Sequence, residues 1–217
     1  MSDDAVLQVS GLDFGYADEA PLFSAWSATL GAGLHRLDGD SGSGKTTLLR
    51  LLAGELVGNL STCGRWRLNG LDVEADAPAW RRDVCLVNAR DAAFDDLTPA
   101  ALRDGVAKRH PQLDTAAWQR QLDGFGLAPQ ADKTLHMLAT GMRRKAALAA
   151  VLSSGAALIL LDEPLAGLDT PAAAWLLAEL TVLSRQPQRA AVIVSGVWPA
   201  GLPCASTLVL PVSANAP

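Results

Sequence analysis

The residues best placed to do chemistry stand between positions 39 and 47. There Gly39-Asp40-Ser41-Gly42-Ser43-Gly44-Lys45-Thr46-Thr47 sets four residues between two glycines and follows them with lysine and threonine. That order is the pattern of a loop that cradles phosphate. Glycines let successive backbone N–H groups converge on phosphate oxygens, and a helix starting at the loop's end adds the positive end of its dipole. Lys45 has the reach to meet the outer phosphates, and the Thr46 hydroxyl is in position to bind Mg2+. The competing reading is a glycine-rich turn that opens a helix and leaves a lysine in solvent. A second group is Asp162-Glu163, which closes an apolar run. Adjacent side chains project differently, so one carboxylate can face a metal and the other a water molecule. The plain alternative for an acidic pair after a buried strand is the start of a loop.

Both groups need elements to position them. Leu34 to Leu37 reads as a strand entering the loop, and Thr46 to Leu52 has helix formers with no breaker before Gly54, so the order is strand, loop, helix. Ala156 to Leu161 is apolar on both alternate faces and has the length of a buried parallel strand. Val192-Ile193-Val194 and Leu208-Val209-Leu210 are further candidate strands, and a helix is expected over Pro171 to Leu183. Ala5 to Val9 alternates weakly and leads to Phe14 and Tyr16. The spacing from Asn59 to about Asn88 predicts short strands. From Thr98 the period lengthens: Leu102 and Val106, then Trp118, Leu122 and Phe125, predict helices jointed at Pro111 and Pro129, in a mostly helical lobe at about 90–155.

Composition limits the class. The 217 residues, 49% apolar and 19% charged, fit one α/β-sized globular domain with a sizeable core. Lys plus Arg number 18 against 23 Asp plus Glu, a net charge of −5, which argues against a nucleic-acid partner. Cys63, Cys85 and Cys204 show neither CxxC nor ligand-like spacing with the histidines and read as reduced thiols without a metal role. Glycines and prolines break the long uncharged stretches before 20 continuous apolar residues accumulate, so no membrane span is expected. The acidic start Met1-Ser2-Asp3-Asp4 is unlike a signal peptide, and the expected location is cytoplasmic.

The segment after the acidic pair narrows the reading. Glu163-Pro164-Leu165-Ala166-Gly167-Leu168-Asp169 resembles the Walker B end and D-loop of ATP-binding cassette (ABC) proteins. Leu138-Ala139-Thr140-Gly141-Met142-Arg143-Arg144-Lys145 is similar to that family's signature and the helix that follows it. Tyr16 stands 29 residues before Lys45, where the family's adenine-stacking aromatic lies; its plain alternative is a tyrosine at the core's edge. Arg143-Arg144-Lys145 is read as a solvated face of the signature helix. The resemblance implies a P-loop α/β fold of ABC type, with a core of 1–88 and 156–217 and a helical lobe of 89–155. It implies ATP and Mg2+ as ligands: Tyr16, Gly39 to Thr47 and Asp169 contact nucleotide, and Ala139, Thr140 and Gly141 serve the nucleotide of a second subunit. Thr46 and Asp162 hold the metal, and Lys45 and Glu163 are catalytic.

Three positions depart from that family. Aligning Phe94-Asp95-Asp96-Leu97-Thr98 with the segment after the Q-loop puts the family's glutamine at Ala89, and the neighbouring Asn88 would point to the opposite face of a strand. The switch histidine falls on Gly196, and His35, His110 and His136 read as ordinary surface or strand histidines. The signature serine is Ala139, with Thr140 at the glycine that follows. Losing one preorganised donor costs on the order of 10²–10³ in rate, and such losses need not multiply. The resemblance implies a Mg-dependent ATPase that drives transport through separate membrane-spanning subunits on the inner face of the membrane, paired with a second ATP-binding subunit, and the departures make slow hydrolysis the expectation. The rival is a nucleotide-binding regulatory subunit with little turnover. A soluble cassette ATPase of DNA repair or translation fits neither the length nor the charge.

Overall fold

The computed structural model describes residues 5–16, 20–56, 63–86, 96–130, 133–137, 140–194 and 196–210. In chain order the elements begin with β1 (Leu7–Phe14), β2 (Phe23–Leu30), β3 (Gly33–Asp38), α1 (Lys45–Leu52), β4 (Cys63–Leu68) and β5 (Leu71–Asp72). They continue with α2 (Ala77–Asp83), β6 (Val84–Leu86), α3 (Pro99–Arg109), α4 (Thr115–Gly124) and α5 (Thr140–Ser153). The last four are β7 (Leu158–Asp162), α6 (Thr170–Leu183), β8 (Ala190–Val194) and β9 (Ser206–Val209).

Two sheets result. One is antiparallel in the order β2-β1-β4-β5; the other runs β6-β7-β8-β3-β9 with every neighbouring pair parallel. The parallel sheet is covered on both faces, which is why β8, and β7 up to Leu161, are apolar on both faces rather than alternating. Leu158, Leu160, Val192 and Val194 pack toward α1 and the antiparallel sheet. Ile159, Leu161, Ala191 and Ile193 pack toward a helical layer built on Trp118 of α4, Leu148 of α5 and Leu176 and Leu180 of α6.

Most elements lie where periodicity puts them: β3, α1, β7, α6, β8 and β9 fall within a few residues of expectation. Two do not. The stretch expected to hold only short strands contains α2, whose start is marked by Asp76 accepting from the Ala79 amide and by proline in the first turn. Buried Trp80 of that helix donates to the Leu52 carbonyl at 2.8 Å, docking α2 against the end of α1. The strand β2, carrying Phe23 and Trp26, pairs with β1 through irregular register steps that leave no clean alternation to read. Among the described residues, no helix is long and apolar enough to cross a membrane.

Candidate nucleotide site

The loop leaves the carboxyl end of β3 and turns into α1. Gly44 caps that helix in the left-handed region at φ 92°, and a Cβ there would sit 2.8 Å from a Leu22 methyl and 3.0 Å from Phe23 Cζ. Gly39, at φ 153°, faces the Ser43 hydroxyl so closely that a Cβ would lie 2.6 Å from its oxygen. That Ser43 Oγ is buried and has no hydrogen-bond partner among the described residues. An orphaned buried hydroxyl inside a glycine-lined concavity at a helix N-terminus suits an anion with several acceptor oxygens. Lys45 Nζ lies over the same loop, donating to the carbonyls of Gly39 at 2.6 Å and Asp40 at 2.7 Å. Ser41 and Gly42 form the loop's exposed crest.

Beneath the loop, Thr46 Oγ1 donates to Asp162 Oδ2 at 2.7 Å. The threonine opens α1 and the aspartate ends β7, which lies two strands from β3, so the pair is made by the sheet and not by the chain's local path. A hydroxyl and a carboxylate oxygen side by side suit a small hard cation that takes its other ligands from phosphate and water. Among the described residues there is no cluster of three or more His, Cys, Asp or Glu that could hold a metal by protein ligands alone.

At one border of the loop Tyr16 is partly exposed, its hydroxyl 3.1 Å from Thr47 Oγ1 and its ring edge-on to Phe14 with centroids 5.2 Å apart. The ring is thus held at two points, one of them on α1, and 37% of the residue is exposed. Glu163 is exposed and takes φ 46°, left-handed for a non-glycine residue. That turn releases its side chain from the strand alternation that aims Asp162 at Thr46. Its amide donates to the Val194 carbonyl at 2.9 Å, and its own carbonyl accepts from the Ala166 amide at 3.1 Å.

The basic run after Gly141 is not a solvated face. Arg143, Arg144 and Lys145 are all half-buried. Arg144 Nη2 donates to the Asp162 carbonyl at 2.8 Å and also to the Glu163 carbonyl. Lys145 Nζ meets Asp169 Oδ2 at 2.5 Å, while Asp169 Oδ1 caps α6 by accepting from the Ala172 amide at 2.9 Å. The Lys145 hydrogen bond, with that cap behind it, holds the Asp169 carboxyl below its ordinary range. No feature of the sequence marks Arg144, because its partners are backbone carbonyls, which every residue has.

The structure also bears on the departures. Thr140, exposed, begins α5, and Gly141 sits where a Cβ would be 3.0 Å from the Gly167 carbonyl. Gly196 is exposed after β8 with open space around it. His35 is a strand histidine, on β3, buried and bonded to Ser206 and the Gly31 carbonyl; His110, which ends α3, is neither surface nor strand but buried, bonded to the Arg82 carbonyl. Ala139, Asn88, Ala89 and the His136 side chain lie outside the described residues.

A parallel sheet that delivers a glycine loop from one strand and a carboxylate from another to the same helix N-terminus defines the P-loop α/β class. The family profile described as ABC transporter matches residues 27–166, and the chain belongs to that family. It is similar to the sulfate/thiosulfate import ATP-binding protein CysA 2 of Chromobacterium violaceum, 39% identical over 150 residues, a span of 68% of this chain and 40% of that protein. It is also similar to the cytochrome c biogenesis ATP-binding export protein CcmA of Dechloromonas aromatica, 32% identical over 162 residues, or 73% and 77% of the two chains. Among solved structures, an ATP-binding subunit of an ABC transporter superposes with a TM-score of 0.80 at 21% identity, covering 94% of this chain and 85% of the other, which establishes the fold.

Proposed function

We propose that this chain is the ATP-binding subunit of an ABC transporter, a single nucleotide-binding domain with a core of 1–88 and 156–217 and a helical lobe of 89–155. It binds Mg-ATP and hydrolyses it slowly to drive transport through separate membrane-spanning chains that hold it at the inner face of the membrane. The observation that carries the reading is the 2.7 Å contact of Thr46 with Asp162 directly under the Lys45 loop. These groups converge from two parts of the chain, 116 residues apart, on one point where a triphosphate and its cation fit.

In this reading the adenine stacks on Tyr16, the amides from Asp40 to Thr47 and the Ser43 hydroxyl take the phosphates, and Lys45 leaves the loop carbonyls to neutralise the outer ones. Thr46 and Asp162 hold Mg2+, which when bound screens the charge of the phosphate oxygens. Glu163, freed from the strand direction by its left-handed turn, orients the attacking water and accepts its proton. Phosphoryl transfer depends chiefly on such positioning and charge neutralisation. Asp169 contacts the nucleotide as well, and Ala139, Thr140 and Gly141 serve the nucleotide of a second ATP-binding subunit. Slowness follows from the chain's own residues, because Gly196 carries no side chain to reach the outer phosphate and His35 and His110 are engaged elsewhere.

Titration calorimetry with Mg-ATP tests the binding half: a saturable isotherm is expected for the parent chain and none for a folded Lys45→Ala variant. A phosphate-release assay tests the hydrolysis half, with Glu163→Gln expected to lower the rate at least tenfold while ATP affinity holds. A rate indifferent to that substitution would favour the regulatory, non-hydrolysing reading.

A further inference from the structure

We infer that Arg144 is a positioning residue for the Asp162-Glu163 pair, and that through it the helix beginning at Thr140 sets the backbone of this chain's own catalytic segment. The inference rests on the ATPase reading above and adds a residue to it. Along a strand consecutive carbonyls point to opposite sides. Here the left-handed turn at Glu163, φ 46°, brings the carbonyls of Asp162 and Glu163 to one side, where the single nitrogen Arg144 Nη2 donates to both. A non-glycine residue keeps such a conformation only when its surroundings over-determine it. Two backbone hydrogen bonds, Glu163 N–H to Val194 and Ala166 N–H to Glu163, do part of this. The guanidinium supplies charge-assisted donation to the carbonyls on either side of the Glu163 Cα.

The same helix holds the rest of the segment. Gly141 approaches the Gly167 carbonyl so closely that a Cβ would be 3.0 Å from it, and Lys145 pairs with Asp169 at 2.5 Å. The stretch from Asp162 to Asp169 is therefore gripped by α5 at three points, of which Arg144 alone acts on the residues that aim the carboxylates. A displacement of α5 moves the Glu163 peptide with it. Arg144 and the two carboxylates also border one cavity of about 360 Å³ that reaches Thr46.

The test compares Arg144→Ala and Arg144→Lys with Glu163→Gln and the parent chain, all full length. Residue-resolved amide hydrogen exchange is expected to show the Glu163 and Ala166 amides of Arg144→Ala exchanging at least tenfold faster, with the β1–β2 amides unchanged. Phosphate release at saturating Mg-ATP should fall about tenfold while the half-saturating ATP concentration stays within twofold, and Arg144→Lys should recover part of the rate. Combining Arg144→Ala with Glu163→Gln should be no slower than Glu163→Gln alone, since one acts through the other. Exchange within twofold of the parent overturns the inference; so does a rate loss that is additive with Glu163→Gln or confined to half-saturation. Should Arg144→Ala fail to fold, the same exchange comparison on Arg144→Met decides, because methionine keeps much of the aliphatic length and offers neither carbonyl a donor. If the parent chain bound no ATP the functional reading would fail, and the exchange result would still judge the role of Arg144 separately.

Discussion

At the scale of single residues, the loop's glycines are not equivalent. Gly42 takes φ 81° with nothing near a hypothetical Cβ, whereas Gly44 takes φ 92° against Leu22 and Phe23. Alanine at 42 meets only the left-handed penalty, about 1–2 kcal/mol. Alanine at 44 adds a collision with the core and is expected to cost about 2–4 kcal/mol in all. Urea denaturation of the two variants should reveal the difference, and equal midpoints would mean that the contact with Leu22 relaxes freely. The same contrast explains why one spacing pattern carries two demands, backbone shape at Gly42 and close packing at Gly44.

Between elements, the helical layer is tied to the core by a small buried network. Gln121 of α4, fully buried, accepts from Trp175 Nε1 of α6 at 2.9 Å and donates to Glu179, which also pairs with Arg120. Removing the amide takes away the hydrogen-bond partner of the half-buried Trp175 indole N–H. Gln121→Ala is accordingly expected to destabilise the fold by about 2–4 kcal/mol, and Trp175→Phe by about 1–2 kcal/mol. The double variant should cost less than the sum, since the two lose one shared interaction. Additive losses in denaturant titrations would show that the network is not a unit. Helix starts illustrate the simpler case: Asp76, Thr98, Asp114 and Asp169 each cap a helix through their own side chains, and each stands just ahead of the residues it caps.

For the whole molecule, two buried imidazoles link stability to pH. Burial pulls the pKa of His35 below 6.5, against the upward push of the Gly31 carbonyl, and burial does the same to His110 beside Arg82. Between those lowered values and 6.5 the unfolded chain binds more protons than the folded one, so stability is complete above pH 6.5 and is lost as pH falls. Melting temperature should drop steadily from pH 7 toward pH 5, and a His35→Gln/His110→Asn variant, which keeps a donor at each site, should flatten that decline. An unchanged slope in the variant would assign the acid sensitivity to carboxylates instead.

What could be read without coordinates was whatever the chain encodes contiguously. Gly39 to Thr46 declares its loop because glycine dihedrals and a helix start are local properties, and Ala156 to Leu161 declares a buried strand because both its faces are apolar. Helix α2 was legible in principle from Asp76 and Pro78, but the alternation around it spoke for strands. Tertiary structure alone decided that Thr46 and Asp162, 116 residues apart, meet at 2.7 Å, that Glu163 turns left-handed, and that Arg144 reaches back to two carbonyls. A side chain's partner among backbone groups leaves no trace in residue types, since every peptide offers the same acceptor; only the packing of α5 on the end of β7 selects which ones it finds.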